Sequence, residues 1–150
     1  MKVLVQRVKN CQVEVEGKLV SKIGTGMLAL VGIEKDDTEK EVLYLAKKTA
    51  NLRIFEDENG KMNLNVSDVG GAILAVSQFT LAGDTSRGNR PGFETAAHPD
   101  KAKVLYEKYV QNLQELGLPV QTGIFQADMQ VSLVNDGPVT FMLEKKEKQQ

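Results

Sequence analysis

Apolar and polar residues alternate with a period of two through the N-terminal part of the chain, which is typical of half-buried β-strands. The alternation predicts strands over residues 3–8 and 12–16. Gly17 then supplies a tight turn into a further strand over residues 18–23. Residues 27–33, MLALVGI, are apolar throughout, which predicts a central strand that is covered on both faces.

The hydrophobic period changes to that of a helix at two places. Thr38 and Glu41 form a capping-box pattern, and apolar residues at helical spacing follow it, so a helix is predicted over residues 38–52. A second helix is predicted over residues 99–116, before Gly117. Its predicted buried stripe comprises Leu105, Tyr109, Leu113 and Leu116.

The remaining segments predict a fold with more strands than helices. Further strands are predicted over residues 53–56, 63–66, 72–81, 120–125, 129–135 and 139–144. Residues 82–98 are predicted to form a long irregular loop, a kind of segment that is often functional. Because most connections between strands are too short for crossovers, we expect a single-domain α+β fold with two main helices on largely antiparallel β-sheets. The domain spans residues 1–144, and the charged tail over residues 145–150 is expected to fray.

Composition narrows the function by exclusion. The chain has 19 basic and 20 acidic residues among its 150, which excludes a polybasic nucleic-acid-binding protein. Cys11 and His98 are the single cysteine and the single histidine, so neither an intrachain disulfide nor a zinc site of Cys and His is expected. No apolar stretch is long enough to span a membrane, and no signal peptide is recognised. We therefore expect a cytoplasmic protein that needs no metal and no cofactor.

Two polar segments stand out at or between apolar strands. SQFTL, at residues 77–81, ends a buried strand with hydroxyl and amide groups that need hydrogen-bond partners. Strand alternation alone would also explain it, with Ser77 and Phe79 on one face. NDGPVT, at residues 135–140, contains Asp-Gly, an ordinary hairpin signal. Pro138, however, removes a backbone donor, and a rigid Gly-Pro suits a site that recognises shape through its carbonyl oxygens.

SQFTL and NDGPVT, in this order and on a chain of this length, closely resemble the D-aminoacyl-tRNA deacylases. The resemblance covers nearly the whole chain except the tail. Its other motifs are QRV (6–8), GIEKDD (32–37), GKMNLNV (60–66), RPGF (90–93) and the run 127–141 that contains NDGPVT. It implies a homodimer with sites at the subunit interface. Each site would hydrolyse the ester that joins a D-amino acid, or glycine, to the 3′-terminal adenosine of tRNA.

The resemblance also implies which residues form the site. The residues implied at the reacting end are Ser77, Gln78, Phe79 and Thr80. The residues implied to bind the substrate are Arg7, Phe125, Met129, Gly137, Pro138, Val139 and Thr140. A cis Gly137-Pro138 would enter the partner subunit's pocket, hold the substrate's amino group and leave no room for an L side chain. Arg7 is expected to support this segment across the interface.

The implied contact of Phe125 and Met129 with the terminal adenosine has an alternative, which is core packing. Two positions depart from the family pattern next to the implied site. Gln126 stands where many relatives carry a small residue, and Gly92 stands where many carry serine. Candidates for contacts with nearby phosphates are Arg87, Arg90, Lys101 and Lys103.

The reaction itself has two candidate mechanisms. Thr80 would attack the ester carbonyl in the first, although the sequence offers it no obvious base. In the second, which we favour, the ribose 2′-hydroxyl assists while backbone N–H groups near Phe79 stabilise the oxyanion. A non-catalytic module that binds RNA 3′ ends and an esterase for small D-amino acid esters are the alternatives from other functional classes.

Overall fold

The computed structural model describes residues 1–147, which form a six-stranded sheet, a two-stranded sheet and two α-helices. The elements in chain order are β1 (Lys2–Val15), β2 (Lys18–Ile23), β3 (Gly26–Gly32), α1 (Glu39–Asn51), β4 (Phe55–Glu56), β5 (Met62–Leu64), β6 (Ala72–Ser77), a 3-10 turn (Phe79–Ala82), α2 (Pro99–Glu115), β7 (Val120–Thr122) and β8 (Gln130–Glu144). The predicted single-domain α+β fold with two main helices is confirmed.

The main sheet is built around β1, in the order β2-β1-β3-β6-β7, with β8 also paired to β1. Strands β2, β3 and β8 are antiparallel to β1, so the sheet is mostly antiparallel, as predicted. The pairs β3–β6 and β6–β7 are parallel, because α1 and α2 each lie within a crossover connection. Strand β2 comes close to β6 and β7, so the sheet is nearly closed into a barrel.

Alternate residues of the sheet pack into two separate apolar clusters. On β3, Met27, Ala29 and Val31 face the helices, whereas Leu28 and Leu30 face the inside of the barrel. The predicted central strand is therefore covered on both faces. Cys11 lies in the inner cluster, and burial raises the pKa of its thiol to about 11, which leaves it protonated and unreactive near neutral pH.

Both helices form where the sequence predicts them. Thr38 and Glu41 make the capping box at the start of α1, where the Glu41 carboxylate accepts from the Thr38 backbone N–H at 2.7 Å. The stripe of Leu105, Tyr109 and Leu113 is buried as predicted. The prediction for Leu116 is wrong. The helix ends at Glu115 and Gly117 turns the chain at φ 86°, so the side chain of Leu116 is 48% exposed.

Several strand predictions need correction, and the two strands predicted over residues 3–8 and 12–16 form the single strand β1. Strand β6 stops at Ser77 and β7 at Thr122, both short of their predicted ends. The segments predicted as two strands joined by an Asp-Gly hairpin form the single strand β8, and both halves of β8 pair with β1. The hairpin prediction is wrong because β1 continues straight past this point and keeps both halves in its ladder.

The long segment before α2 is irregular, as predicted. Within it, Asp84 and Gly92 exchange two backbone hydrogen bonds of 2.7 and 2.9 Å, which close a small exposed loop. At the start of the predicted tail, the backbone N–H of Lys145 donates to the carbonyl of Met1 at 3.0 Å. The rest of the tail prediction includes residues 148–150, which lie outside the described residues.

Candidate active site

The chain changes conformation sharply where β6 ends. The Gln78 N–H donates to the carbonyl of Val31 at 2.7 Å, which is the last bond of that ladder, and the 3-10 turn follows at once. The N–H groups of Phe79 and Thr80 donate no hydrogen bond to another described residue, because the first N–H groups of a helix have no partner within it. Both residues are exposed, so two unpaired donors lie side by side at the surface.

The 3-10 turn replaces the end of the strand that was expected for SQFTL. The side-chain amide of Gln78 donates to the Thr80 hydroxyl, so these two polar side chains still meet on one side, as alternation also placed them. Among residues 1–147, no histidine, carboxylate or amine contacts that hydroxyl. Thr80 therefore has a partner that orients it but no base that would remove its proton.

A cavity of about 720 Å³ opens beside the 3-10 turn. Ser77, Gln78 and Phe79 line part of it, whereas Thr80 does not line it. Residues of the connection between β7 and β8, including Phe125 and Met129, also line it. The structure thus brings together five of the residues that the sequence assigned to the reacting end and to the terminal adenosine.

Phe125 and Met129 are both half-buried, and each is held from behind by the core. The ring of Phe125 stacks on Tyr106, with 6.2 Å between ring centroids and 28° between planes. The Tyr106 hydroxyl in turn donates to the Ala75 carbonyl at 2.7 Å. A Cβ at Gly123 would lie 2.5 Å from the sulfur of Met129, so only glycine leaves Met129 its place. Core packing and cavity lining are therefore both true of this pair.

Phe93, on the long irregular segment, also lines the cavity and was not among the predicted site residues. Its ring packs against that of Phe79 with centroids 5.1 Å apart and planes tilted by 58°. Both rings are largely exposed, Phe79 to 57% and Phe93 to 41%. Two exposed aromatic rings at the mouth of a cavity form a surface that a flat or apolar ligand would cover.

The NDGPVT segment forms a wide bulge in β8, which we call the Gly-Pro bulge (residues 136–139). Asn135 pairs with Val8 and Thr140 pairs with Gln6, so the whole bulge lies opposite one residue of β1, Arg7. The Gly137-Pro138 peptide bond is cis, and both residues are exposed.

Side chains around the Gly-Pro bulge fix its shape. The Asn135 side chain spans the bulge, because its Oδ1 accepts from the Val139 N–H at 3.0 Å and its Nδ2 donates to the Thr140 hydroxyl at 3.0 Å. Arg7 donates from Nε to the Asp136 carbonyl at 2.9 Å and from Nη1 to the Ile54 carbonyl at 2.8 Å. Arg7 thus holds the bulge of its own chain, and its expected role across a subunit interface stays a prediction.

Within one chain, the Gly-Pro bulge and the cavity are apart. None of Arg7, Gly137, Pro138, Val139 and Thr140 lines the cavity. Ser77 pairs with Val31, and Val31 pairs with Val3. Arg7 lies four residues further along β1, so the two regions are separated by about 13 Å along the strand direction alone.

Neither a metal site nor a membrane span is found in the described part of the chain. No three histidine, cysteine, aspartate or glutamate side chains in residues 1–147 are placed to hold an ion. Neither helix is long and apolar enough to cross a membrane.

Comparison with known proteins decides the family. Residues 4–144 match the family model described as D-Tyr-tRNA(Tyr) deacylase. A D-aminoacyl-tRNA deacylase of Geobacter sulfurreducens is 59% identical over 97% of this chain and 96% of its own length. One of Chlorobaculum tepidum is 55% identical over 99% of both chains.

The chain belongs to the D-Tyr-tRNA(Tyr) deacylase family.

The fold is also found in a solved structure. A solved structure titled c-Myc DNA Unwinding Element Binding Protein superimposes with a TM-score of 0.93 and 42% sequence identity, over 98% of this chain and 100% of that one. The family assignment made from the sequence is therefore confirmed, and with it the expectation that the chain is an enzyme of the hydrolase class.

For a D-Tyr-tRNA(Tyr) deacylase family member, the structure adds supporting residues that the motifs did not identify. Tyr106 holds Phe125, Gly123 makes room for Met129, and Asn135 shapes the Gly-Pro bulge. Asn135 lies inside the NDGPVT motif, and Phe93 inside RPGF, so the sequence contained a signal for both. Tyr106 and Gly123 carry no such signal, because their role depends on contacts between distant segments.

Proposed function

We propose that this chain hydrolyses the ester between a D-amino acid, or glycine, and the 3′-terminal adenosine of tRNA. One observation supports this above all others. A single cavity is lined both by Phe79, whose backbone N–H has no partner among the described residues, and by the apolar side chains of Phe125 and Met129. Thr80, the next residue of the turn, has a second unpaired N–H but does not itself line the cavity. The relatives that are 59% and 55% identical to this chain are named D-aminoacyl-tRNA deacylases. A nucleoside with an acyl group on its ribose would contact both parts of this lining.

In this proposal the base and the ester take opposite ends of the cavity. The adenine stacks on Phe125 and contacts Met129, since every base offers a flat apolar face. The ester carbonyl oxygen then accepts hydrogen bonds from the backbone N–H groups of Phe79 and Thr80. Donors already fixed in place stabilise the negative charge that develops on this oxygen during hydrolysis, at no cost of reorganisation.

A second copy of the chain completes the site in our proposal. Gly137 and Pro138 of the Gly-Pro bulge are exposed and lie away from their own cavity, so they are free to enter the cavity of a partner subunit. Apolar side chains of β8 on both sides of the bulge are also exposed, as an interface requires. They are Val134 (47%), Phe141 (41%) and Met142 (49%).

The selectivity for D-amino acids follows from the backbone atoms that the Gly-Pro bulge would present to the substrate. The carbonyls of Gly137 and Pro138 accept hydrogen bonds from the substrate's ammonium group and hold the α-carbon close to the bulge. An L side chain would then point into the bulge, whereas a D side chain points away from it. Selection by exclusion takes many D-amino acids, and it takes glycine, which has no side chain to exclude.

The contacts of Thr80 support assistance by the substrate's own 2′-hydroxyl. The Thr80 oxygen accepts a hydrogen bond from Gln78, and no basic group of the described residues lies beside it. A hydroxyl without a base is a weak nucleophile. Thr80 therefore orients the ester. The ribose 2′-hydroxyl next to the ester bond assists the attack of a water molecule on the carbonyl carbon, and the bond from that carbon to the ribose 3′ oxygen then breaks, which releases the amino acid and a free 3′-hydroxyl.

The proposed function is tested by a paired deacylation assay without added metal. Purified protein should release D-tyrosine from D-tyrosyl-tRNA rapidly and leave L-tyrosyl-tRNA intact. Cleavage of neither ester would indicate a binding module, and cleavage of both would contradict the exclusion of L side chains. D-tyrosine methyl ester serves as the control, because an esterase for small substrates would cleave it as fast as the tRNA ester.

Replacing Thr80 by alanine separates the two mechanisms. We expect the Thr80→Ala variant to keep kcat within about tenfold of the wild type, because it loses one orienting group and no nucleophile. Thr80→Ser, which keeps the hydroxyl, is the matched control. D-tyrosyl-tRNA ending in 2′-deoxyadenosine should resist the wild-type enzyme. Rapid cleavage of that substrate, together with an inactive Thr80→Ala variant, would establish Thr80 as the nucleophile instead.

A further inference from the structure

The charged side chains that line the cavity are acidic, which is unfavourable for the RNA chain that would leave it. Its lining includes the carboxylates of Glu94 and Asp128 and, among the described residues, no lysine or arginine. A tRNA bound by its terminal adenosine has phosphate groups immediately beyond that nucleoside. Those phosphates are repelled by the two carboxylates, so the strand must follow a path where cations are available.

Cations lie on one segment beside the cavity mouth, which we call the arginine loop (residues 84–92). Asp84 and Gly92 close it with their two backbone hydrogen bonds, and the Asp84 carboxylate accepts from the Ser86 N–H at 2.9 Å. Hydrogen bonding from Ser86 lowers the pKa of Asp84. These hydrogen bonds therefore hold the backbone of the loop in one conformation, and its residues 84–91 are exposed.

Arg87 and Arg90 on this loop make no salt bridge or side-chain hydrogen bond with any residue in the described range 1–147. The loop ends next to Phe93, which lines the cavity and packs on Phe79. Lys101, another phosphate candidate from the sequence, instead donates to the carbonyl of Lys35. The two arginines are thus unpaired cations on a loop whose backbone is held by hydrogen bonds and which leads into the cavity lining.

We propose that Arg87 and Arg90 bind the phosphodiester groups of the RNA strand immediately 5′ of the terminal adenosine. The inference rests on the proposed function, since it assumes that the adenosine occupies the cavity. Guanidinium groups suit this role, because each presents several N–H donors to phosphate oxygens in a planar arrangement. The arginine loop gives the strand its exit direction, away from Glu94 and Asp128.

The test compares two substrates that share the ester but differ in phosphate. One is D-tyrosyl-tRNA, and the other is adenosine esterified on its ribose with D-tyrosine, which has no phosphate. The Arg87→Gln/Arg90→Gln double variant should raise KM for the tRNA by about tenfold near physiological salt, and flatten the slope of log KM against log salt by about 1.4. Its kinetics on the adenosine ester should match the wild type.

Two further variants show whether phosphate binding by positive charge is the cause. Arg87→Lys/Arg90→Lys keeps both charges and should retain most of the salt dependence. Lys47→Gln/Lys48→Gln removes two exposed charges from α1 and should leave KM and its salt dependence unchanged for both substrates.

The possible results distinguish a failure of the phosphate-binding inference from a failure of the proposed function. An unchanged KM and salt slope in the arginine double variant overturns the inference and leaves the proposed function standing. Equal loss on both substrates also overturns it, because the loop would then act on the cavity itself. A wild-type enzyme that cleaves neither substrate contradicts the proposed function instead.

Discussion

Replacing Phe79 by proline should lower kcat by about 10²–10³-fold, the usual effect of removing one donor from an oxyanion site. Proline lacks the backbone N–H that we assign to the ester oxygen. The fold should accept it, because Phe79 is the first residue of the 3-10 turn, where no N–H is needed within the turn. Gln78 before it is already outside the helical region (φ −135°, ψ 84°), as a residue before proline requires.

The matched control is Phe79→Ala, which also removes the ring but keeps the N–H. We expect it to lose less than about tenfold, through the missing contact with Phe93. Single-turnover rates on D-tyrosyl-tRNA, with thermal unfolding to confirm that both variants fold, separate the two effects. Equal losses in Phe79→Pro and Phe79→Ala would show that the ring matters and that the N–H does not.

Most of the fold could be predicted from the sequence, because its elements depend on local signals. The capping box at Thr38 and Glu41 and the buried stripe of α2 are each encoded within a few neighbouring residues. The parallel pairing of β6 with β3 and β7 could not be predicted. Apolar strands that are buried on both faces have the same sequence pattern whether they pair in parallel or antiparallel. Their direction depends on where the helices return the chain to the sheet.

The candidate site was predicted as two motifs, but their local structures were not. The SQFTL pattern predicts the end of a strand. A 3-10 turn forms there instead, because the backbone hydrogen bonds between β6 and β3 end at the carbonyl of Val31. NDGPVT reads as a hairpin, because Asp-Gly is a strong turn signal. Only the continuous pairing of β8 with β1, and the buried Arg7 opposite, make it a bulge. Neither cause is local to its motif.

Replacing Gly137 by alanine should reduce kcat/KM on D-tyrosyl-tRNA by about 10² or more, since a displacement near 1 Å at a reacting centre has that effect. Gly137 has φ 140°, where L side chains are strained. A Cβ there would lie 2.6 Å from Val139 Cγ2 and 3.3 Å from Arg7 Nη2, so the bulge must move. Turnover close to that of the wild type would exclude a role for the bulge in the site.

Gly60→Ala is the matched control for backbone strain. Gly60 also has a positive φ, 74°, but nothing lies within 4 Å of its Cβ position, and it is in the turn between β4 and β5. We expect Gly60→Ala to lose some stability and keep full activity. Similar thermal unfolding of the two variants would then assign the loss in Gly137→Ala to the site and not to folding.

Mixing the two inactive variants tests whether the bulge acts on a partner subunit. A heterodimer of Phe79→Pro with Gly137→Ala has one site with both defects and one site with none, if each site takes its turn from one chain and its bulge from the other. Random exchange of subunits should therefore restore about a quarter of wild-type activity, because half of the dimers are mixed and each has one intact site of two. If turn and bulge served the same site within one chain, every site would keep one defect and mixing would restore nothing. Recovery on mixing, after each variant alone is shown to be inactive and dimeric, can arise only from a site shared between two chains.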